Sequence, residues 1–233
     1  MTKIKGSLRH WIKFWVNKIM KNIEFVKPKD IEARSFEIIA DELRKMHIEL
    51  PKDQDMVTRR AIHTSADFDY ATTLKYSKNA VATAKNMIKN GADIVTDTNM
   101  ALTGINKRIL AEFKGEVHCF MADEDVAREA KERGVTRAAV SMERAALIGK
   151  DVIFAIGNAP TALISLYELM EKGIFTPKFV IGVPVGFVNV EASKELFLNS
   201  DVPHIINKGR KGGSNVAAAI CNALLYELRK ECL

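Results

Sequence analysis

Apolar and polar positions along this chain follow two rhythms, one of helical spacing and one of short continuous runs. Helical spacing predicts helices over about 30–47, where Ile31, Phe36, Ile39 and Leu43 share a face, and over about 52–63. Apolar runs of four to six residues predict strands at 93–96, 116–120, 152–156, 179–183 and 204–207. Further helical patterns at 80–89, 123–133, 136–148, 161–172 and 214–230 precede, separate and follow them. Strands alternating with helices imply parallel pairing through right-handed crossovers, with the sheet covered on both faces. The expected fold is α/β and doubly wound, with about five mainly parallel strands in a single domain over 27–233. No internal repeat or low-complexity linker divides it.

The first residues obey a different pattern. Ile4, Leu8, Trp11, Ile12, Trp15, Ile19 and Ile23 fall on one helical face and lysines mostly on the others, so 1–26 reads as a basic amphipathic extension. Its expected role is to pack on the domain or on a dimer mate. Weak contact of residues 1–22 with an anionic membrane surface is the second reading, and a dispensable leader the third.

Charge sharpens that division. The chain has 233 residues and a net charge of +6, yet residues 1–22 alone hold Lys3, Lys5, Arg9, Lys13, Lys18 and Lys21 and no acid. The remainder carries 29 basic and 29 acidic side chains, so the body is formally neutral and nucleic acid is not an expected partner. With 47% hydrophobic and 27% charged residues, the composition is that of a globular protein with a sizeable core. Cys119, Cys221 and Cys232 are odd in number and lack C-x-x-C spacing, which argues against a disulfide framework or a zinc site and for a cytoplasmic compartment. The longest apolar stretch, 179–190, is broken by Gly182, Pro184 and Gly186, so no stable membrane insertion is expected. Lys13 and Lys18 interrupt any signal-peptide apolar region.

Ligands of open parallel sheets bind beyond the carboxyl ends of the strands. Four loops there are rich in small and polar residues: Asp97-Thr98-Asn99-Met100 with Gly104, Gly157-Asn158-Ala159-Pro160-Thr161, Pro184-Val185-Gly186-Phe187, and Lys208-Gly209-Arg210-Lys211-Gly212-Gly213-Ser214. Glycine lets backbone approach a ligand, and free N–H groups at a helix start favour anions. Asn158, Thr161, Arg210, Gly212, Gly213 and Ser214 are therefore candidate binding residues, with Arg210 and Lys211 pointing to a carboxylate or phosphate. Neither G-x-G-x-x-G nor G-x-x-x-x-G-K-[ST] occurs.

A second constellation closes the 52–63 helix. Arg60 and His63, three residues apart, share a helical face and pair a permanent cation with a side chain that titrates near neutral pH. No histidine sits in H-x-x-x-H or H-E-x-x-H, so a protein-bound metal is not expected. Cys119 lies within an apolar run, and no G-x-S-x-G elbow is present, so nothing demands covalent catalysis.

These residues resemble the precorrin-8X methylmutases and their cobalt-precorrin-8 counterparts. The resemblance runs in order through Ala33-Arg34-Ser35-Phe36-Glu37-Ile38-Ile39, Arg60-Ala61-Ile62-His63, Asp97-Thr98-Asn99-Met100, Gly134-Val135-Thr136-Arg137-Ala138-Ala139, the specific block Gly157-Asn158-Ala159-Pro160-Thr161-Ala162-Leu163, Pro184-Val185-Gly186-Phe187-Val188, and Gly209-Arg210-Lys211-Gly212-Gly213-Ser214. It begins at about Pro28 and leaves the basic extension outside. It implies an isomerase that moves a methyl group from C-11 to C-12 of a contracted polycarboxylate tetrapyrrole, working as a homodimer without a cofactor, any cobalt belonging to the substrate. It also implies His63 as proton donor and acceptor, Ser35 and Arg60 as substrate contacts, and Arg137 on a substrate carboxylate. A non-catalytic tetrapyrrole carrier is the alternative, and a phosphate-binding α/β protein a distant third.

Overall fold

The computed structural model describes Met20 and residues 23–232. Of the amphipathic extension expected over 1–26, only Met20 and residues 23–26 are described, and Ile23 there lies outside any helix; the rest is outside the described residues. The chain forms two compact units, residues 1–40 and 41–233. In the first, a 3-10 turn with proline in its first positions, Pro28–Asp30, leads into α1 (Ile31–Lys45). Arg34 is held there by Glu24 at 2.8 Å and Glu37 at 3.2 Å.

In the second unit come α2 (Asp55–Ser65), α3 (Tyr70–Thr73), β1 (Leu74–Tyr76), α4 (Ala80–Lys89), β2 (Asp93–Thr96), α5 (Asn99–Gly104), α6 (Lys107–Glu112) and β3 (Val117–His118). They are followed by α7 (Glu124–Arg133), α8 (Arg137–Ala145), β4 (Val152–Ile156), α9 (Pro160–Glu171), β5 (Phe179–Gly182), α10 (Val190–Leu198), β6 (His204–Asn207) and α11 (Ser214–Glu231). Each expected strand is present, β3 being the most shortened. The short helices α3, α5, α6 and α10 were not expected. Their starts are nonetheless chemically marked in two cases: Thr98 caps α5 by accepting from Ala101 N, and Asn106 caps α6 by accepting from Ile109 N.

The described residues form a six-stranded sheet in the order β1-β6-β5-β4-β2-β3. The expected sheet of about five mainly parallel strands is present, and β1, three residues long, joins it as a sixth, antiparallel edge with Leu74 opposite Asn207. Such a segment is too short to show alternation, and its strand state comes from the ladder that β6 offers. The other pairings are parallel. Every residue of β2, β4, β5 and β6 is buried, as central strands covered on both faces must be.

From β2 the chain steps outward to β3, returns across β2 to β4, and continues to β5 and β6. Right-handed crossovers therefore place α5 and α6 on one face and α7 to α10 on the other. Phe154, Leu163, Leu166, Met142 and Phe197 fill the core beneath the second group. On the first face α11 packs against α2, α4, α5 and α6. The direction of winding reverses between β2 and β4, and a crevice opens at their carboxyl ends.

Candidate active site

At that reversal the buried Asp97 carboxylate accepts three backbone hydrogen bonds from the β4–α9 loop: from Gly157 N at 2.9 Å, Asn158 N at 2.8 Å and Ala159 N at 2.5 Å. Burial raises the carboxyl pKa, and the three amides oppose that shift. The loop is thereby shaped before any ligand arrives. Thr98 Oγ1 lies 2.8 Å from Ser214 Oγ, tying the start of α5 to the start of α11.

Two glycines allow the loops to close on one another. A Cβ on Gly157 would stand 2.7 Å from Ser214 Cα, and one on Gly212 only 2.0 Å from the Val183 carbonyl oxygen. The Gly213 amide donates to that same carbonyl at 2.9 Å. Asn158, Thr161, Arg210, Gly212, Gly213 and Ser214 thus gather at the carboxyl edge of the sheet. Arg210 is exposed there, paired with Glu191 at 3.0 Å and stacked over Phe187 with 5.6 Å to the ring centroid. Lys211 meets Asp67 at 2.6 Å and Asp69 at 2.5 Å. Lys211, read from sequence with Arg210 as pointing to an anionic ligand, ties its loop to the segment after α2 and holds the Asp67 carboxyl below its ordinary value.

Beside this edge lies a cleft of about 350 Å³ bounded by α2, α5 and α11 and lined in part by Arg60, His63, Met100, Asn215, Asn222 and Tyr226. Asn215 directly follows Ser214 and Met100 follows Asn99, so the cleft borders the loops. The spacing that builds the α11 wall is helical, 215, 218, 219, 222 and 226, and Ala218 and Ala219 supply the room. Arg60 lies over the Tyr226 ring, 5.4 Å from its centroid. Asn222 bridges two neighbours, accepting from Asn106 N at 2.8 Å and donating to Gly104 O at 2.9 Å. Helix α2 is in turn anchored to the edge strand, since Thr58 Oγ1 and the Tyr76 hydroxyl are 2.8 Å apart. The edge strand missed in the sequence therefore helps hold the helix that carries His63.

Within the second unit the expected residues do not all converge. Arg137 is exposed at the start of α8, on the opposite face of the sheet from the His63 cleft. Ser35 belongs to the first unit, where its Oγ donates to Ile31 O at 2.9 Å. Sequence reading also missed Asn215, Asn222 and Tyr226, although their common face on a long helix that begins at a glycine-rich loop was a usable signal. Burial raises the Cys119 thiol and pushes that of Cys221 up to about 12, away from thiolate chemistry. Among the described residues no group of three His, Cys, Asp or Glu could hold a metal ion, and no helix is long and apolar enough to cross a membrane.

Comparison with known proteins gives one consistent result. The family model described as precorrin-8X methylmutase matches residues 30–227. The cobalt-precorrin-8 methylmutase of Salmonella typhimurium is 44% identical over 208 residues, covering 88% of this chain and 97% of that protein. The precorrin-8X methylmutase of Pseudomonas aeruginosa is 38% identical over 182 residues, 76% of this chain and 86% of its own. Among solved structures, the precorrin-8x methyl mutase of Thermus thermophilus superposes with a TM-score of 0.78 at 33% identity, covering 88% of this chain and all of that one.

Proposed function

The chain belongs to the precorrin-8X methylmutase family, isomerases of corrin biosynthesis, and on that premise we propose that the His63 cleft moves the methyl group from C-11 to C-12 of a precorrin-8-type macrocycle. The observation that carries this reading is the placement of His63 and Arg60 together in a cleft that borders the preshaped loops of the carboxyl edge. The carrier reading finds no support, since the relatives are named as methylmutases.

The chemistry asks little of the protein beyond orientation and a proton. A methyl shift between adjacent ring carbons is intramolecular; no nucleophile is consumed, and reactant and product have the same composition. As the conjugation rearranges, the basicity of the ring changes, and a side chain that can give and regain a proton serves both ends of the step. His63 fills that role in this reading. The acetate and propionate arms of the macrocycle call for cations and amide donors, which Arg60, Arg210 and the start of α11 present. Relatives named for the cobalt form and for the cobalt-free form both match this chain, and cobalt is treated as part of the substrate.

The family resemblance also implies a homodimer. Arg137, on the far side of the sheet from His63, suits a substrate contact delivered by a second subunit rather than within one chain. Incubating the purified protein with precorrin-8 and with its cobalt form, and following the absorbance change to hydrogenobyrinate or cobyrinate, tests the activity. Spectral binding without conversion of either ring would overturn it.

A further inference from the structure

Lys194, on α10, is 1% exposed, yet it is a cation outside the His63 cleft. Its ammonium donates to two backbone carbonyls of one loop, Gly209 O at 2.6 Å and Lys211 O at 2.9 Å. Burial lowers its pKa to about 8, with Glu191 pulling weakly the other way. Taking an ammonium out of water is costly, and the two carbonyl acceptors offset that cost only while they hold it. What the lysine adds is geometry.

We propose that Lys194 is a positioning residue for substrate binding: its buried ammonium fixes the backbone at Gly209 and Lys211 and so presents Arg210 and the first amides of α11 at the carboxyl edge. The inference rests on the reading above, in which this loop touches the carboxylate arms. The loop's other tethers reach the Lys211 carbonyl but not the Gly209 one. Asn207 Nδ2 also donates to Lys211 O, at 2.8 Å, and the Arg210 carbonyl accepts from Gly186 N at 3.2 Å. Gly209 O, by contrast, faces Lys194. Removing the ammonium strands the carbonyl on one side of Arg210 and halves the support on the other. Because the Lys211 side chain grips Asp67 and Asp69, displacement of the loop would also reach the segment that follows His63.

The test uses Lys194→Met, which keeps the length without a donor, and Lys194→Gln, which keeps a shorter one, both in the full chain. Steady-state methyl migration and amide hydrogen exchange of 208–214 without substrate are measured on each. The Met variant is expected to raise KM about tenfold or more with kcat held within about twofold, the scale of losing hydrogen bonds from a charged donor. Faster exchange at Gly213 should accompany it, with smaller changes in the Gln variant. Unchanged KM and exchange, or a lower kcat at unchanged KM, would overturn the proposal, the latter marking only lost folded protein. Should the Met variant fail to fold, the Gln variant decides by the same criteria. If the wild-type protein converts neither ring, the functional reading falls by itself, and unchanged exchange would still remove the loop-holding role.

Discussion

Asp97 and Asn158, 61 residues apart, are joined by a hydrogen bond of 2.8 Å from the Asn158 amide to the Asp97 carboxylate. Strand order makes this contact, because β2 and β4 are neighbours although β3 lies between them in the chain. With the Gly157 and Ala159 amides on the same carboxylate, the loop opening α9 is held by a single side chain.

Asp97→Asn should therefore loosen this loop. The amide nitrogen of asparagine brings a donor where backbone donors converge, and the expected cost is about 2–3 kcal/mol in urea unfolding. Binding of the macrocycle should weaken with it. Unaltered unfolding midpoint and affinity would show that the loop is shaped by other contacts.

Removing the His63 imidazole should separate chemistry from binding. His63→Ala is expected to lower kcat by about 10²-fold or more while affinity for the macrocycle changes little. Arg60→Ala, which takes a cation from the same cleft and its stacking from Tyr226, should instead raise KM first. Near wild-type turnover in the histidine variant would exclude the proton-transfer role.

Arg137 and His63 can be assigned to one subunit or two by mixing. If each site takes His63 from one subunit and Arg137 from the other, unfolding and refolding inactive His63→Ala together with inactive Arg137→Ala should restore roughly a quarter of wild-type activity, because half the dimers are mixed and each has one intact site. No recovery, with mixed dimers shown to form, would place both residues in one chain's site.

Asp93 predicts an acid limb in stability. Burial alone would raise its carboxyl, but hydrogen bonds from Lys150 at 2.7 Å, Glu116 N at 2.9 Å and His118 at 3.0 Å hold it below the ordinary 3.8. A depressed carboxyl contributes fully above the unfolded value, and the contribution is lost as pH falls through the folded one. Asp93→Asn should cost about 1–3 kcal/mol near neutral pH and flatten the loss of stability below about pH 4. Superimposable acid limbs for the two proteins in urea unfolding would assign the effect elsewhere.

Much of the fold is legible along the chain. Runs such as Val152–Ile156 and Phe179–Gly182 are continuous and apolar because central parallel strands are covered on both faces, and alternation with helices implies their direction. Helix α10 escaped notice because Lys194 occupies an inward position, a polar residue where periodicity expects an apolar one. Strand β1 escaped because its pairing with β6 joins residues such as Leu74 and Asn207 that are far apart in the chain.

The candidate site divides in the same manner. Its residue types, its glycine-rich turns and the Arg60–His63 pairing on one helical face follow from local spacing, and the family blocks are contiguous in the sequence. The cleft itself needed α2, α5 and α11 to be brought to one face, which put Asn222 and Tyr226 opposite Arg60. Tertiary structure likewise turned Lys211 toward Asp67 and Asp69 and set Arg137 on the far side of the sheet. Periodicity records which face of an element is buried; it does not record which distant element buries it. That depends on strand order and crossover hand, and only the folded chain expresses both at once.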